Sequence, residues 1–249
     1  MDNQIIKKYL IWVLVACILV SGLVWSSYIV TNAITKISSS KNVITVTGSA
    51  KKKIKSDFAM WYGDFSATYP TLSEAYDKIK ADKERVNTYL INKGVKASEI
   101  SFATITTETL YVMDVNGQRT NKVESYKLTQ TVKVASHDID KVGLLALDSM
   151  SLINQGITFN SNSPQYIYTK LADLKIDMLG LATKDTKSRA STIAKNSGAK
   201  VGKLVSSKVG VFQITPLYST DTSDYGINDT STVEKEITAV MTCDFEIIN

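Results

Sequence analysis

The chain is poor in the residues that most often build metal sites and catalytic triads. Its 249 residues include two cysteines and a single histidine, His137. One histidine excludes a zinc site built on paired histidines, including the H-E-x-x-H motif. A serine triad would have to use His137, and the sequence contains no G-x-S-x-G elbow. The sequence therefore predicts that the protein is not an enzyme and that it binds no cofactor or metal.

The two cysteines do not suggest a disulfide. Cys17 lies in a long apolar segment, and Cys243 lies in a probable strand near the other end of the chain. We expect no intramolecular disulfide and no thiolate metal site. The fold must therefore be stabilised by its hydrophobic core, for which the apolar content of 44% is sufficient.

Proline and arginine are also scarce. Three prolines occur, and no proline-rich or glycine-serine linker divides the chain, which argues against loosely connected domains. Only three of the 29 basic residues are arginines, and the net charge of +5 is spread along the chain. Phosphate and base recognition usually relies on arginine, so we expect no nucleic-acid binding.

One long apolar run stands near the amino terminus. Residues 9–30 carry no charge, and a helix of that length crosses a hydrocarbon layer about 30 Å thick. Trp12 lies near one end, and Trp25 and Tyr28 lie near the other, where amphipathic aromatic residues favour the membrane interface. The run predicts a short cytoplasmic tail at 1–8, a transmembrane anchor at 9–30 and a linker at 31–42.

Two alternatives to an uncleaved anchor stay open. A cleaved secretory peptide would have a shorter apolar region. The small-residue cleavage site that it would need is only weakly matched by Thr31-Asn32-Ala33. The stretch before Cys17 resembles a lipoprotein box, although apolar residues continue after it. A tail of eight residues would ordinarily stay in the cytoplasm. We therefore expect the rest of the chain in the periplasm or outside the cell, with the anchor in the cytoplasmic membrane.

The exported part begins with β-strand patterns and a well-marked helix. A β-branched run at Val43–Gly48 predicts a strand that ends at Gly48, and Ile54–Tyr69 alternates as a second strand. The alternation changes parity at Gly63-Asp64, which predicts a bulge. Thr71 with Glu74 forms a capping box for a helix that Gly94 ends.

The remaining patterns complete an α+β fold. A hairpin with a turn at Asn116-Gly117 is followed by a short helix that begins at His137-Asp138. A long helix at Thr169–Ser197 then precedes two more strands, at 201–217 and 233–248. Helix followed by two strands thus occurs twice, as a loose repeat. We expect antiparallel sheets with helices packed on one face, preceded by one transmembrane helix.

These segments resemble the SIMPL domain in their order and spacing. The opening strand ends in Thr-Gly, and a short basic and apolar stretch follows, with Ser56 where the family commonly has proline. The resemblance covers residues 43–249. It rests on four segments: Ile44–Ala50, Lys53–Ala59, the helix with its exit Thr71–Ile100, and the later Ala190…Gly198…Val201-Gly202-Lys203-Leu204.

The resemblance implies a location and a mode of action rather than a reaction. Bacterial SIMPL proteins are mostly periplasmic or membrane-anchored, some assemble into large homo-oligomers, and some are associated with oxidative or envelope stress. The family has no established catalytic residues that could be carried onto this chain. We therefore expect a membrane-anchored envelope protein that self-assembles. The alternative is a tethered module that binds a peptide, a protein or a small ligand.

Two oxygen-rich segments are candidates for metal sites. His137 with Asp138 and Asp140 could form a small site, but a helix-capping turn is the simpler interpretation. The loop Tyr218–Thr232 matches position six of an EF-hand template with Gly226. However, Thr232 stands where a bidentate glutamate belongs. We expect an exposed hairpin loop at this position.

Two groups of residues are candidates for surface contacts. Lys51, Lys52 and Lys53 form a basic run near the membrane that could contact anionic lipid headgroups, although a solvated strand end is the simpler interpretation. Trp61 and Tyr69 are candidates for a subunit interface, where aromatic residues are enriched, with ordinary core packing as the alternative.

Overall fold

The computed structural model describes Trp12, residues 17–31 and residues 42–248. Its contacts divide these residues into two compact units. The first unit takes the described residues up to Gly48, then Ala182–Val209 and the chain from Met241 onward. The second unit takes Ser49–Leu181 and Gly210–Val240. The domain prediction of 43–249 stays a prediction.

Residues 17–31 form helix α1, and Trp12 is also helical. The predicted anchor at 9–30 is described only in part, because residues 9–11 and 13–16 lie outside the described residues, as do the tail at 1–8 and linker residues 32–41. Among the helices that the structure does describe, none is both long and apolar enough to cross a membrane.

The second unit contains a six-stranded sheet centred on two long antiparallel strands. The first strand that the structure describes is β1 (Val43–Lys55). The strands of the six-stranded sheet follow it: β2 (Phe58–Tyr69), β3 (Ile100–Phe102), β4 (Thr106–Met113), β5 (Arg119–Ser136), β6 (Thr158–Ser161) and β7 (Gln165–Ile167). The two long strands, β2 and β5, pair without interruption from Ala59 opposite Ser136 to Tyr69 opposite Tyr126. β3 and β4 pair with the other side of β5, while β6 and β7 pair with β2.

Two helices pack on one face of this sheet. α2 (Leu72–Asn92) and α3 (Ile139–Asp148) contribute to the same buried cluster as the inward side chains of β2 and β5. Thr71 caps α2 as predicted, because its Oγ1 accepts a hydrogen bond from the Glu74 N–H at 3.3 Å. The Glu74 carboxylate accepts a hydrogen bond from the Thr71 hydroxyl at 2.6 Å, so a bond between the two side chains completes the capping box.

The predicted bulge at Gly63-Asp64 is wrong. The pairing of β2 with β5 continues through both residues, and β2 buries every second side chain, including Trp61 and Phe65. Gly63 belongs to this buried row, but it lacks the side chain that would have revealed the alternation. A Cβ at Gly63 would lie 2.4 Å from Phe159 Cζ, so the glycine makes room for an aromatic ring.

In the first unit a helix packs closely on antiparallel strands. β8 (Lys200–Val209) pairs with residues 241–248 of β11 (Glu234–Ile248). The buried face of α4 (Leu171–Asn196) here consists of small residues at four-residue spacing, Ala182, Thr186, Ala190 and Ala194. The predicted strand end at Gly48 is wrong: β1 continues, and a Cβ at Gly48 would lie 2.5 Å from the Thr186 nitrogen.

The last strands of the chain differ from the predicted pair. The predicted strand at 201–217 is divided into β8 and β9 (Gln213–Pro216), which are separated by residues 210–212. β9 pairs antiparallel with β11 and parallel with β10 (Ile227–Asn228). The loop after β9 therefore returns to the sheet before β11 begins. The α+β class is confirmed, with one parallel strand pair that the sequence did not predict.

Gly63→Ala should destabilise the second unit, because the new methyl group would overlap Phe159 and Trp61. Overpacking of a core typically costs about 1–3 kcal/mol. Urea unfolding of the full chain, followed by circular dichroism, measures the change. Gly180→Ala is the matched control. A Cβ there meets no atom within 4 Å, so this helical glycine should give equal or higher stability. Equal stability of Gly63→Ala and wild type would contradict the packing.

Candidate functional site

A buried lysine, Lys235, lies within the second unit. The side chain of Lys235 is only 2% exposed, because the alternation of β11 turns it inward between exposed Glu234 and half-buried Glu236. Its Nζ donates to the carbonyl oxygen of Tyr166 at 2.7 Å and to that of Asp229. The ammonium group is therefore bonded to the main chain of two other segments.

Asp229 provides the opposite charge. Its Oδ2 lies 3.7 Å from Lys235 Nζ. The Ser231 N–H and hydroxyl donate to Oδ1 at 3.0 and 2.6 Å, while the Thr232 N–H and hydroxyl donate to Oδ2. The Asp229 N–H donates to the carbonyl of Ile214 on β9 at 2.9 Å. These bonds fix the end of the loop to the neighbouring strands.

Burial and charge shift both pKa values. Burial lowers the pKa of Lys235 below its usual 10.5, and the Asp229 charge opposes that change. Burial also opposes ionisation of Asp229. The hydrogen bonds from Ser231 and Thr232, with the Lys235 charge, nevertheless lower the pKa of Asp229 from 3.8 to about 2. The pair is thus a buried ion pair at neutral pH.

The pair borders a small cavity of about 120 Å³ lined by Tyr168, Leu171, Ile214 and Asn228. A lysine nucleophile needs a free neutral amine. Two of the Lys235 N–H groups are bonded to carbonyls and the charge is balanced by Asp229, which favours the ammonium form. The arrangement therefore joins β7, β9, β10 and β11, and its contacts do not favour covalent chemistry.

A comparison of the sequence with protein-family models identifies the family. The family model SIMPL, described as "Protein of unknown function (DUF541)", matches residues 44–245. The chain belongs to the SIMPL family. This confirms the resemblance seen in the sequence. A comparison with curated proteins gives no significant match.

The SIMPL domain buries one of the two predicted interface residues. Trp61 is fully buried, packs near Phe159, and donates from Nε1 to Ser161 Oγ at 3.0 Å. The expectation that Trp61 forms a subunit interface is therefore corrected, because its side chain offers no surface to a second chain. Tyr69 is half-buried against the core cluster, and its interface role stays a prediction.

The three lysines proposed to contact lipid headgroups are exposed, but two of them have partners within the chain. Lys51 forms an ion pair with Glu236 at 2.8 Å. Lys53 lies over the ring of Tyr218, 5.0 Å from its centroid. The ion pair with Glu236 offsets one of the positive charges that the run presents to a membrane. Contact of Lys51, Lys52 and Lys53 with lipid stays a prediction.

The two oxygen-rich segments serve local structure. Asp138 caps α3 by accepting the Lys141 N–H at 3.1 Å, and His137 Nδ1 lies 2.7 Å from the carbonyl of Asp57. The loop Tyr218–Thr232 was expected to be a simple exposed hairpin loop. Its end is instead partly buried, since Asp229 and Thr232 form the bonds described above.

An apolar surface that sequence reasoning did not identify lies on α3 and the following 3-10 helix, Ser149–Gln155. Leu144 and Leu147 on α3 are 63% and 76% exposed, and Met150 and Ile153 extend the exposed apolar area along the chain. We call these four residues the α3 surface. A groove of about 480 Å³ next to it is lined mainly by Leu144, Leu147, Pro164, Tyr166 and Val233.

Acid should destabilise the protein through Asp229. A carboxyl group whose folded pKa is below its unfolded value stabilises the fold above the unfolded pKa. That stabilisation is lost as pH falls from about 4 to about 2. The shift corresponds to about 2 kcal/mol, at about 1.4 kcal/mol per pKa unit.

The measurement is the free energy of unfolding against pH, compared between wild type and Asp229→Asn. Other carboxyl groups with lowered pKa values, such as Asp57 and Asp244, titrate in both proteins and cancel in the difference. We expect the difference between the two proteins to be largest at neutral pH and to shrink toward pH 2. A difference that does not change with pH would contradict the assigned role of Asp229.

Proposed function

We propose that this SIMPL protein is a non-enzymatic envelope protein that is anchored in the cytoplasmic membrane and assembles with copies of itself. The observation that supports it best is the α3 surface. Monomeric soluble proteins rarely expose large contiguous apolar patches, and such patches commonly mark interaction sites. Leu144 and Leu147 are two large aliphatic side chains at three-residue spacing on one helix, and both are mostly exposed.

The proposed anchor is supported by the uninterrupted apolar run at 9–30. The part of this run in α1 is helical, and its large apolar side chains are exposed, including Leu23, Trp25 and Ile29. A helix that is apolar all round favours a nonpolar environment. With the short tail at 1–8 in the cytoplasm, the predicted domain at 43–249 lies in the periplasm or outside the cell.

A stress-related role belongs to this proposal only as an implication of the family resemblance, which associates some SIMPL proteins with envelope or oxidative stress. The absence of catalysis is proposed on other grounds. The buried Lys235 donates hydrogen bonds to main-chain carbonyls, and Asp229 accepts hydrogen bonds from hydroxyl and amide donors. Both groups are thus already engaged within the protein.

The groove beside the α3 surface supports a second candidate, a tethered binding module. Its volume of about 480 Å³ lies within the range of small-molecule sites, and its walls are mainly apolar, with the hydroxyl of Tyr166 close to Gly143. A peptide with a large apolar side chain would fit its chemistry. In that case the α3 surface would bind a ligand and not another copy of the chain.

The test is the mass of the full chain in detergent, by light scattering coupled to size exclusion, over a concentration series. Wild type should give a discrete multimer that persists on dilution. The double variant Leu144→Ser, Leu147→Ser should lower that mass, because it removes apolar area that assembly would bury. Ile176→Ser is the matched control, since Ile176 is a similarly exposed aliphatic residue outside the α3 surface.

A mass of 27.4 kDa for wild type at every concentration would refute self-assembly and favour the binding module. A multimer that the double variant leaves intact would keep self-assembly but remove the α3 surface from the interface. Circular dichroism of each variant shows whether it is folded.

A further inference from the structure

The outer edge of β4 is unpaired among the described residues. β5 lies between β2 on one side and β3 with β4 on the other, and β5 is the strand that pairs with β4. In an antiparallel strand, alternate residues direct their N–H and C=O groups away from the partner strand. β4 therefore presents a row of backbone donors and acceptors that another strand could bind.

Natural proteins prevent edge-to-edge pairing with lysine, proline, very short strands or β-bulges. The register of β4 with β5 shifts between Leu110 and Met113, but the extra residues lie in β5, so β4 itself is continuous. The other devices are lacking at this edge. β4 reads Thr-Thr-Glu-Thr-Leu-Tyr-Val-Met, with no lysine, no proline and one charge, Glu108. By contrast, β1 and β8 are the other long strands with one strand neighbour in their sheet, and they carry four and three lysines.

The far half of β4 is also incompletely supported. β2 pairs with β5 only as far as Tyr126, so beyond this point the β4–β5 hairpin is a two-stranded ribbon. Two-stranded ribbons alone are marginally stable in water. Exposed apolar side chains occur on this ribbon, with Met113 60% exposed and Val115 at the turn fully exposed. A further strand on β4 would add hydrogen bonds where they are lacking.

We propose that the edge of β4 pairs antiparallel with the same edge of a second copy of this chain. The inference rests on the proposed self-assembly and adds a second interface to the α3 surface. A twofold axis perpendicular to the sheet relates two such edges, and it places one residue of the strand opposite its own copy. The two half-ribbons then become one four-stranded sheet.

The sequence of β4 favours a particular register. An axis at Thr109 places Glu108 opposite Leu110 and Thr107 opposite Tyr111, which pairs β-branched with aromatic residues and separates the like charges. An axis at Glu108 would place two carboxylates opposite each other, which is unfavourable. We therefore place the axis at Thr109.

A single strand pair buries little area compared with the roughly 1,200–2,000 Å² of a stable protein interface. On its own the contact would be weak in solution. Anchoring in one membrane confines the copies, raises their effective concentration and favours the contact. The contact must therefore be tested with the full chain in a bilayer.

The experiment is disulfide crosslinking of the full chain in lipid vesicles, in a Cys17→Ser background. The remaining native cysteine, Cys243, is fully buried. Thr109→Cys should form covalent dimers on mild oxidation, because the axis places the two thiols opposite each other. Thr107→Cys is the matched control on the same face of the strand, and it should crosslink several-fold less with its own copy.

A second pair of variants tests the register independently of Thr109. Vesicles that contain both Thr107→Cys and Tyr111→Cys chains should form mixed dimers, while each variant alone should not. If neither Thr109→Cys nor the mixed pair crosslinks above the Thr107→Cys control, the β4 interface is overturned. If light scattering still gives a multimer in that case, self-assembly stands and uses another surface. If it gives a single chain, both proposals fail.

Discussion

The fold of the second unit depends on the continuous pairing of β2 with β5. Eleven consecutive residue pairs, from Ala59 with Ser136 to Tyr69 with Tyr126, fix which side chains face α2 and α3. A slip of one residue would turn Trp61 and Phe65 to the outer face and expose the core. Gly63 is part of this constraint, because the space above it is filled by Trp61 and Phe159. The helices cover one face of the sheet, and the unpaired edge at β4 is a consequence of the same topology.

The buried charged pair of the second unit links the strands around it. Lys235 and Asp229 are buried together, and main-chain carbonyls, hydroxyls and amides satisfy their hydrogen bonds. Removing one member of such a pair leaves an uncompensated charge, so both must be kept together. The two surfaces that we propose for association, the α3 surface and the edge of β4, lie outside this cluster.

The sequence predicted the helices better than the details of the strands. Helix ends carry explicit signals, and the caps at Thr71 and Asp138 occur as expected. The bulge at Gly63 was predicted wrongly because a glycine has no side chain to continue the alternation. Burial of Lys235 was missed because lysine is normally exposed. The α3 surface could not be inferred either: α3 is apolar on several sides, with Val142 and Leu145 buried but Leu144 and Leu147 exposed, and only packing decides which side is covered.

The central claim is that this SIMPL protein acts by association and that its sheet is completed by a second copy. The most direct test is amide hydrogen exchange of the full chain in vesicles at low and high protein density. The account predicts that those amides of Thr106–Met113 that are directed away from β5 exchange fast at low density and become protected at high density, while those of β2 stay protected throughout. Equal exchange in Thr106–Met113 at both densities would contradict it.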